Sequence, residues 1–96
     1  MANDLYTEMG RFSWITFPDA TSVEHLKKLK QETDETINSP DDISEYADCL
    51  LTLFGAAYRQ GFTYGELMNA TRKKLEIVKK RKWKKMSDGT YQHIKQ

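Results

Sequence analysis

The sequence predicts a small all-α protein, built as one domain of three main helices that follow a short N-terminal helix or arm. Three observations indicate this class: apolar residues recur at helical spacing, a helix-start signal precedes each long segment, and short turn signals separate the segments. The chain of 96 residues has room for a single domain (1–96) with a modest core. Because small cores are often supplemented by a partner surface, we expect a homo-oligomer.

Residues 1–20 are predicted to form the N-terminal helix or arm. Residues 3–12 favour a short helix, which Gly10 weakens, and the apolar residues 13–18 end at Pro18 and favour an extended arm or loop. The first main helix should begin at Thr21, which can form a capping box with Glu24. Its expected buried stripe consists of Val23, Leu26, Leu29, Thr33 and Ile37.

The second main helix follows a strong break at residues 38–42. Ser39 is the predicted N-cap, and Pro40 suits the first helical position. The helix should run to about Gln60 and stop at Gly61, a residue suited to the left-handed conformation that ends many helices.

The last main helix should open at Thr63, where Glu66 completes a second capping box. It is expected to continue to near Lys82 and to carry the apolar residues Leu67, Ala70, Leu75 and Val78. Residues 86–96 show no periodicity and are predicted to be a C-terminal tail or extended arm.

Composition excludes a membrane-spanning or disulfide-stabilised protein. The hydrophobic fraction of 39% with 30% charged residues is typical of a soluble globular protein, and no apolar run could cross a bilayer. The N-terminus lacks the order of a secretory signal, and the one cysteine, Cys49, fits a reducing cytoplasm and is expected to pack rather than react.

Charge is distributed very unevenly although its net value is +1. Eleven of the fourteen acidic residues lie at or before Asp48, whereas nine of the fifteen basic residues lie between Arg72 and Lys85. A basic segment of this kind attracts polyanions, so nucleic acid and a nucleoside triphosphate are both candidate partners.

Glu45 and Asp48 are the first informative acids, because they lie one turn apart on the second main helix. Their face continues with the small residues Thr52, Gly55 and Ala56, which indicates that another element packs against it. Enclosed carboxylates are costly unless they are protonated, paired or bound to a cation.

Glu32 and Glu35 form a similar pair on the preceding helix. The short connection predicts antiparallel helices, so the two pairs should converge, and Mg²⁺ or Mn²⁺ would relieve the repulsion among four carboxylates. The alternative is that all four are ordinary solvated helix residues. If metal binds there, Glu35 could orient an attacking water, and Lys74 and Arg81 could receive the β- and γ-phosphates.

The acidic pairs Glu32-x-x-Glu35 and Glu45-x-x-Asp48 resemble the signature of the MazG-like all-α nucleoside triphosphate pyrophosphohydrolases. The chain is most similar to the phage branch that contains the MazZ-type dATP/dGTP pyrophosphohydrolases, and the resemblance runs from about residue 13 to residue 94. Other matching segments are Ser13-x-x-Thr16-Phe17, Pro40-x-Asp42, Gly55-Ala56-x-Tyr58-Arg59-x-Gly61-Phe62, Arg81-Lys82-Trp83, Asp88-Gly89 and His93-Ile94.

The resemblance implies a metal-dependent enzyme of nucleotide metabolism. Water would attack the α-phosphate of a purine deoxynucleoside triphosphate, giving a monophosphate and pyrophosphate. The implied metal ligands are Glu32, Glu35, Glu45 and Asp48 for two or more Mg²⁺ or Mn²⁺ ions, with Glu32, Glu35 and Asp48 ranked first as catalytic. A phage enzyme of this kind would act in the host cytoplasm, lower dATP and supply dGMP where 2-aminoadenine replaces adenine. Dimers or tetramers are also implied, in which neighbouring subunits complete each nucleotide pocket.

Two positions depart from the family pattern. Val78 stands where the family commonly has asparagine, four residues after Lys74, and Lys28 stands where the branch tends to have histidine. We include Lys28 with Lys74 and Arg81 among the candidate phosphate-binding residues.

Base recognition is assigned to aromatic and apolar residues near the two chain ends. The candidates for stacking on a purine are Trp14, Ile15, Phe17 and Trp83, although such residues also suit a core or a subunit interface. Two alternatives stay open: a housecleaning pyrophosphohydrolase with broad specificity, and a basic helical protein that binds nucleic acid through residues 72–85. The second is disfavoured because it leaves the enclosed acids without a role.

Overall fold

The computed structural model describes residues 4–95, which form four helices followed by a small antiparallel hairpin. The elements are α1 (Asp4–Thr16), α2 (Ser22–Asn38), α3 (Ile43–Arg59), α4 (Tyr64–Lys80), β1 (Trp83–Lys85) and β2 (Tyr91–His93). The predicted helical class is confirmed, and the hairpin is an addition to it. The predicted helix start at Asn3 lies outside the described residues.

Helices α2 and α3 form an antiparallel pair. Thr36, near the end of α2, donates a hydrogen bond to the carbonyl oxygen of Glu45 near the start of α3 (3.3 Å) and contacts the sulfur of Cys49 at the same distance. At the other end of the pair, the Ser22 hydroxyl donates to the Gln60 side chain (2.8 Å). The predicted antiparallel arrangement is therefore confirmed, and Cys49 packs as expected.

The start signals at Thr21 and Thr63 are confirmed, because both residues form complete capping boxes. The end of α3 at Gly61 is also confirmed: this residue has a φ of 95°, and the amides of Gly61 and Phe62 donate to the carbonyls of Tyr58 and Ala57. The predicted N-cap of α3 is wrong. Ser39 instead ends α2, residues 39–42 form a turn, and the Asp42 carboxylate caps α3 by accepting from the Ser44 amide (2.9 Å).

The extended arm predicted for residues 13–18 is also wrong, because α1 continues to Thr16. A tertiary contact explains the longer helix. The guanidinium of Arg59 donates to the carbonyls of Ser13, Phe17 and Ala20, which lie at the end of α1 and in the loop to α2. Arg59 thus ties the end of α1 to the following loop, adding to the backbone hydrogen bonds that the carbonyls of Ser13 and Phe17 already accept, and its charge suits the negative end of the helix. Its guanidinium also lies 4.3 Å from the centre of the Trp14 ring.

Gly10, which weakened the helix prediction, is required by packing. A Cβ atom placed on Gly10 would lie 2.2 Å from Cγ of Tyr58, so the aromatic ring of α3 rests directly on the α1 backbone. Beside it, Tyr6 is almost fully buried and stacks edge-on against Phe54 with ring centres 5.2 Å apart. The glycine therefore permits the close approach that forms the core between α1 and α3.

The buried stripe predicted for α2 is mostly wrong, since Val23, Leu26 and Ile37 are exposed and only Leu29 is half-buried. The face that α2 turns inward carries His25 and Glu32, both buried. On α3 the apolar residues Ile43, Leu50 and Leu53 are likewise exposed. Because the inner face of α2 is polar and both helices expose apolar residues on the outside, we expect a further surface to pack against this helix pair.

Helix α4 ends at Lys80, slightly earlier than predicted, and none of its residues is buried. The tail predicted for residues 86–96 is wrong over its described part, because β2 pairs with β1 in register Trp83 with His93 and Lys85 with Tyr91. Asp88 stabilises the connecting turn by accepting from the amide and hydroxyl of Thr90. No described helix is long and apolar enough to cross a membrane.

Candidate metal and nucleotide site

Three carboxylates converge between α2 and α3. Glu32 and Glu35 point from α2 and Glu45 from the first turn of α3, and each offers an oxygen within 4.8 Å of the other two. This convergence follows from the helical spacing of the α2 pair and from the antiparallel packing that brings the start of α3 beside it. Asp48 lies outside this trio but lines the cavity next to Glu32.

The electrostatics of the trio are unfavourable without a cation. Oε2 of Glu45 is fully enclosed and, within the described part of the chain, has no hydrogen-bond partner. The pKa of Glu35 is raised, first by a hydrogen bond with Glu32 that favours the protonated form, then by the Glu32 charge. The nearest ion pair is Lys28 with Glu32 (3.3 Å), and the lysine side chain is half-exposed.

These features fit a hard divalent cation. All the ligand atoms are carboxylate oxygens, which Mg²⁺ and Mn²⁺ prefer. A cation would satisfy the enclosed oxygen of Glu45 and neutralise the repulsion that raises the pKa of Glu35. One lysine cannot do both, because its single charge is shared with solvent and already paired with Glu32.

An apolar cavity of about 250 Å³ opens beside the acids. Its walls come from α1, the loop that follows α1, α2 and α3. The lining residues are Met9, Phe12, Phe17, His25, Lys28, Glu32, Asp48, Leu51 and Thr52. A mostly apolar cleft with a few polar groups at one end is the usual form of a small-molecule site.

A chain of hydrogen bonds supports one wall of this cavity. Nε of Arg59 donates to the Ser13 hydroxyl (3.2 Å), and that hydroxyl lies within hydrogen-bonding distance of Nε2 of His25. Burial, and then the Arg59 charge, lower the pKa of His25, while Glu24 opposes them. Phe17 packs edge-on against the His25 ring, so the neutral imidazole belongs to the aromatic wall.

The structure brings only part of the predicted site together. Phe17 lines the cavity, but Trp14 is stacked under Arg59 and Ile15 is 81% exposed. Trp83 lies in the hairpin, where its ring is edge-on to His93. Neither Lys74 nor Arg81 lines the cavity beside the acids; Arg81 instead lines a second, basic cavity with Lys80, Lys82, His93, Ile94 and Lys95.

Sequence reasoning did not assign five of the cavity-lining residues to a site: Met9, Phe12, His25, Leu51 and Thr52. It also missed Arg59, which supports one wall of the cavity. The matched segments around Ser13 and Arg59 drew attention to this region but did not show that the two side chains meet. His25 could have been suspected from its place in α2, because positions 25 and 36 lie on the same helix face as Glu32.

A solved structure of similar fold comes from cyanophage S-2L, a MazG-like pyrophosphohydrolase bound to dGDP and three catalytic Mn²⁺ ions per active site. It matches 99% of this chain and 98% of its own with a TM-score of 0.79 and 28% sequence identity. The fold is thus that of the MazG-like class.

The profile of the dATP/dGTP pyrophosphohydrolase family matches residues 5–96. A dATP/dGTP diphosphohydrolase of Salmonella phage PMBT28 is 35% identical over 80 residues, which are 82% of this chain but 27% of that protein. The chain therefore spans about a quarter of the length of this relative. The chain belongs to the dATP/dGTP pyrophosphohydrolase family.

Proposed function

We propose that this chain is a metal-dependent pyrophosphohydrolase that converts dATP and dGTP to the monophosphate and pyrophosphate. The observation that carries the proposal is the carboxylate trio of Glu32, Glu35 and Glu45, with its enclosed, unpartnered oxygen, beside an apolar cavity of about 250 Å³. Family membership and the nucleotide and Mn²⁺ of the cyanophage relative support the same reaction.

In this proposal the four acids hold Mg²⁺ or Mn²⁺, most closely Glu32, Glu35 and Glu45, with Asp48 completing the set from the cavity wall. The bound cation neutralises charge on the phosphate oxygens and acidifies water. The Glu35 side chain is exposed and orients the attacking water by accepting its hydrogen bond. The water oxygen bonds to the α-phosphorus, and the water loses a proton through the Glu35 carboxylate to solvent. The bond from that phosphorus to the bridging oxygen breaks, so pyrophosphate leaves.

Lys28 and the basic α4–hairpin segment serve the leaving phosphates. Lys28 stands beside Glu32 and is exposed enough to turn towards a phosphate. It is the only cationic side chain lining this cavity within residues 4–95, whereas a triphosphate carries several negative charges. Lys74 and Arg81 are therefore proposed to act from a neighbouring subunit of a dimer or tetramer. The exposed apolar residues of α2 and α3, such as Leu26 and Leu53, supply a surface for that assembly.

The test of the reaction is pyrophosphate release from each of the four common deoxynucleoside triphosphates with Mn²⁺ or Mg²⁺, and with EDTA. We expect turnover of dATP and dGTP that requires the metal. Glu35→Gln and Glu45→Gln should lower kcat at least a hundredfold, while Asp34→Asn, an exposed acid on the same helix, should leave it unchanged. No release from any triphosphate would refute the proposed reaction, and equal rates for purines and pyrimidines would favour the broad housecleaning alternative.

Subunit sharing is tested by mixing two inactive variants. Glu35→Gln lacks the water-orienting acid, and Lys74→Ala with Arg81→Ala lacks the basic residues. If the residues act across subunits, exchange should produce mixed oligomers that regain a substantial fraction of wild-type activity. A monomeric sedimentation coefficient, or mixed oligomers without recovered activity, would contradict sharing. Metal-independent, salt-sensitive binding of single-stranded DNA without hydrolysis would favour the nucleic-acid alternative.

A further inference from the structure

The hydrogen-bond chain beside the cavity determines which nitrogen of His25 carries its proton. Nε of Arg59 can only donate, so the Ser13 hydroxyl accepts from it (3.2 Å). Ser13 is fully buried, so its single hydroxyl hydrogen needs an acceptor inside the protein. Within residues 4–95 the only other hydrogen-bond partner of this hydroxyl is Nε2 of His25. Nε2 therefore accepts, and in a neutral imidazole the proton must lie on Nδ1.

This Nδ1–H group has no hydrogen-bond acceptor within residues 4–95. The Cδ2–Nε2 edge of the ring faces Gly55, where a Cβ atom would lie 3.1 Å from Cδ2. Among the described residues Nδ1 has no hydrogen-bond partner, yet it is not one of the fully enclosed unpartnered atoms. His25 lines the cavity, and from this we infer that Nδ1, on the ring edge away from Gly55, is the ring atom that a ligand in the cavity can reach.

An isolated donor in an apolar wall selects a ligand that presents an acceptor there. The other walls, including Phe12, Phe17 and Leu51, offer flat apolar surface that suits any base. Adenine and guanine share N7, a nitrogen of their imidazole portion that accepts hydrogen bonds, and a pyrimidine has no counterpart to it. Purine N3 would not discriminate, because pyrimidine O2 offers an equivalent acceptor. Exocyclic groups differ between the two purines, so a donor to a shared ring nitrogen selects both.

We propose that His25 is the residue that selects purines, by donating from Nδ1 to a ring nitrogen common to adenine and guanine. Ser13 and Arg59 act as positioning residues, because they hold His25 in the tautomer that presents this donor. The proposal rests on the proposed function for the identity of the ligand. It explains how one site accepts dATP and dGTP alike.

Deaza nucleotides test the hydrogen bond directly. The dissociation constants of dGDP, 7-deaza-dGDP and 3-deaza-dGDP are measured by calorimetry with Mn²⁺ for the wild-type protein and for His25→Phe, which keeps a ring of similar shape. We expect wild type to bind 7-deaza-dGDP about tenfold more weakly than dGDP, as for one lost hydrogen bond, and 3-deaza-dGDP, the matched control, about as tightly as dGDP. In His25→Phe the ratio for 7-deaza-dGDP should fall to about one, whatever the overall loss of affinity.

Two outcomes would overturn the assignment: 7-deaza-dGDP binding within twofold of dGDP in wild type, or an unchanged ratio of these two dissociation constants in the variant. If His25→Phe does not fold, the ratios of dissociation constants in wild type and the tautomer of His25 still test the assignment. Nitrogen-15 NMR of the wild-type imidazole should show Nδ1 protonated and Nε2 unprotonated, and Ser13→Ala should remove that preference. The opposite tautomer refutes the proposal even if the enzyme is active, whereas absence of any pyrophosphate release would refute the proposed function alone.

Discussion

Replacing Gly10 by alanine tests the contact between α1 and α3. The new Cβ would lie 2.2 Å from Cγ of Tyr58 and within 2.5 Å of both Cδ atoms. Carbon atoms in ordinary contact are about 3.5 Å apart, so the ring must retreat by about 1.3 Å. It is held from behind by Tyr6, whose ring centre lies 5.8 Å away and which is almost fully buried.

Two effects of the alanine on the free energy of unfolding oppose each other. Alanine is favoured over glycine in a helix by about 1 kcal/mol, whereas overpacking a core costs about 1–3 kcal/mol. Because three atoms of a ring are displaced at once, we expect the upper end of that cost. The free energy of unfolding should therefore fall by about 2 kcal/mol, and Tm by roughly 8–16 °C for a chain of this size.

The assay is thermal denaturation followed by circular dichroism at one fixed protein concentration, so that any assembly contributes equally. Gly65→Ala is the matched control, since its Cβ would meet only Thr63 Oγ1 at 3.9 Å; Tm should be unchanged or slightly raised. In a Tyr58→Leu background the penalty for Gly10→Ala should shrink. A Gly10→Ala protein as stable as wild type would refute the close approach of the ring.

Three further perturbations have defined outcomes. Arg59→Lys keeps the charge but loses the planar guanidinium that donates to three carbonyls. The free energy of unfolding, measured by chemical denaturation, should fall by about 2 kcal/mol. Nucleotide affinity, measured by calorimetry, should fall as well. The lowered pKa of His25, caused by burial and by Arg59 and opposed by Glu24, means that the unfolded chain binds its proton more readily. The stability that the neutral His25 contributes is complete above about pH 6.5 and is lost as pH falls. The difference in Tm between wild type and His25→Gln should therefore narrow from pH 7.5 to pH 5.5. A difference that stays constant over this range would contradict the lowered pKa. Glu45→Gln removes one of three repelling acids, so its Tm should exceed that of wild type in EDTA and fall below it in Mn²⁺. If the same protein has the higher Tm under both conditions, the result would argue against a metal at the trio.

Local signals in the sequence were sufficient for most helix boundaries. The capping boxes at Thr21 and Thr63 and the stop at Gly61 depend on residues within one turn, and all three are confirmed. The convergence of Glu32, Glu35 and Glu45 also followed from helical spacing and one short turn.

The failures have tertiary causes. The end of α1 is held by Arg59, more than forty residues later, which donates to the carbonyls of Ser13 and Phe17, and no local pattern shows this contact. The stripe of α2 was misassigned because apolar periodicity identifies a face without saying whether the same subunit covers it; here the covered face carries His25. The hairpin, in contrast, had a readable signal in Asp88-Gly89 between two short segments rich in aromatic residues.

The cavity draws its walls from two separate parts of the chain, and this has an evolutionary consequence. Met9, Phe12 and Phe17 come from α1 and its following loop, whereas the clustered carboxylates come from α2 and α3. Substitutions in the first part can reshape the surface that meets the base without moving an acid. A lineage with this architecture can reshape that surface by substitutions within residues 9–17, while the clustered carboxylates stay under separate selection.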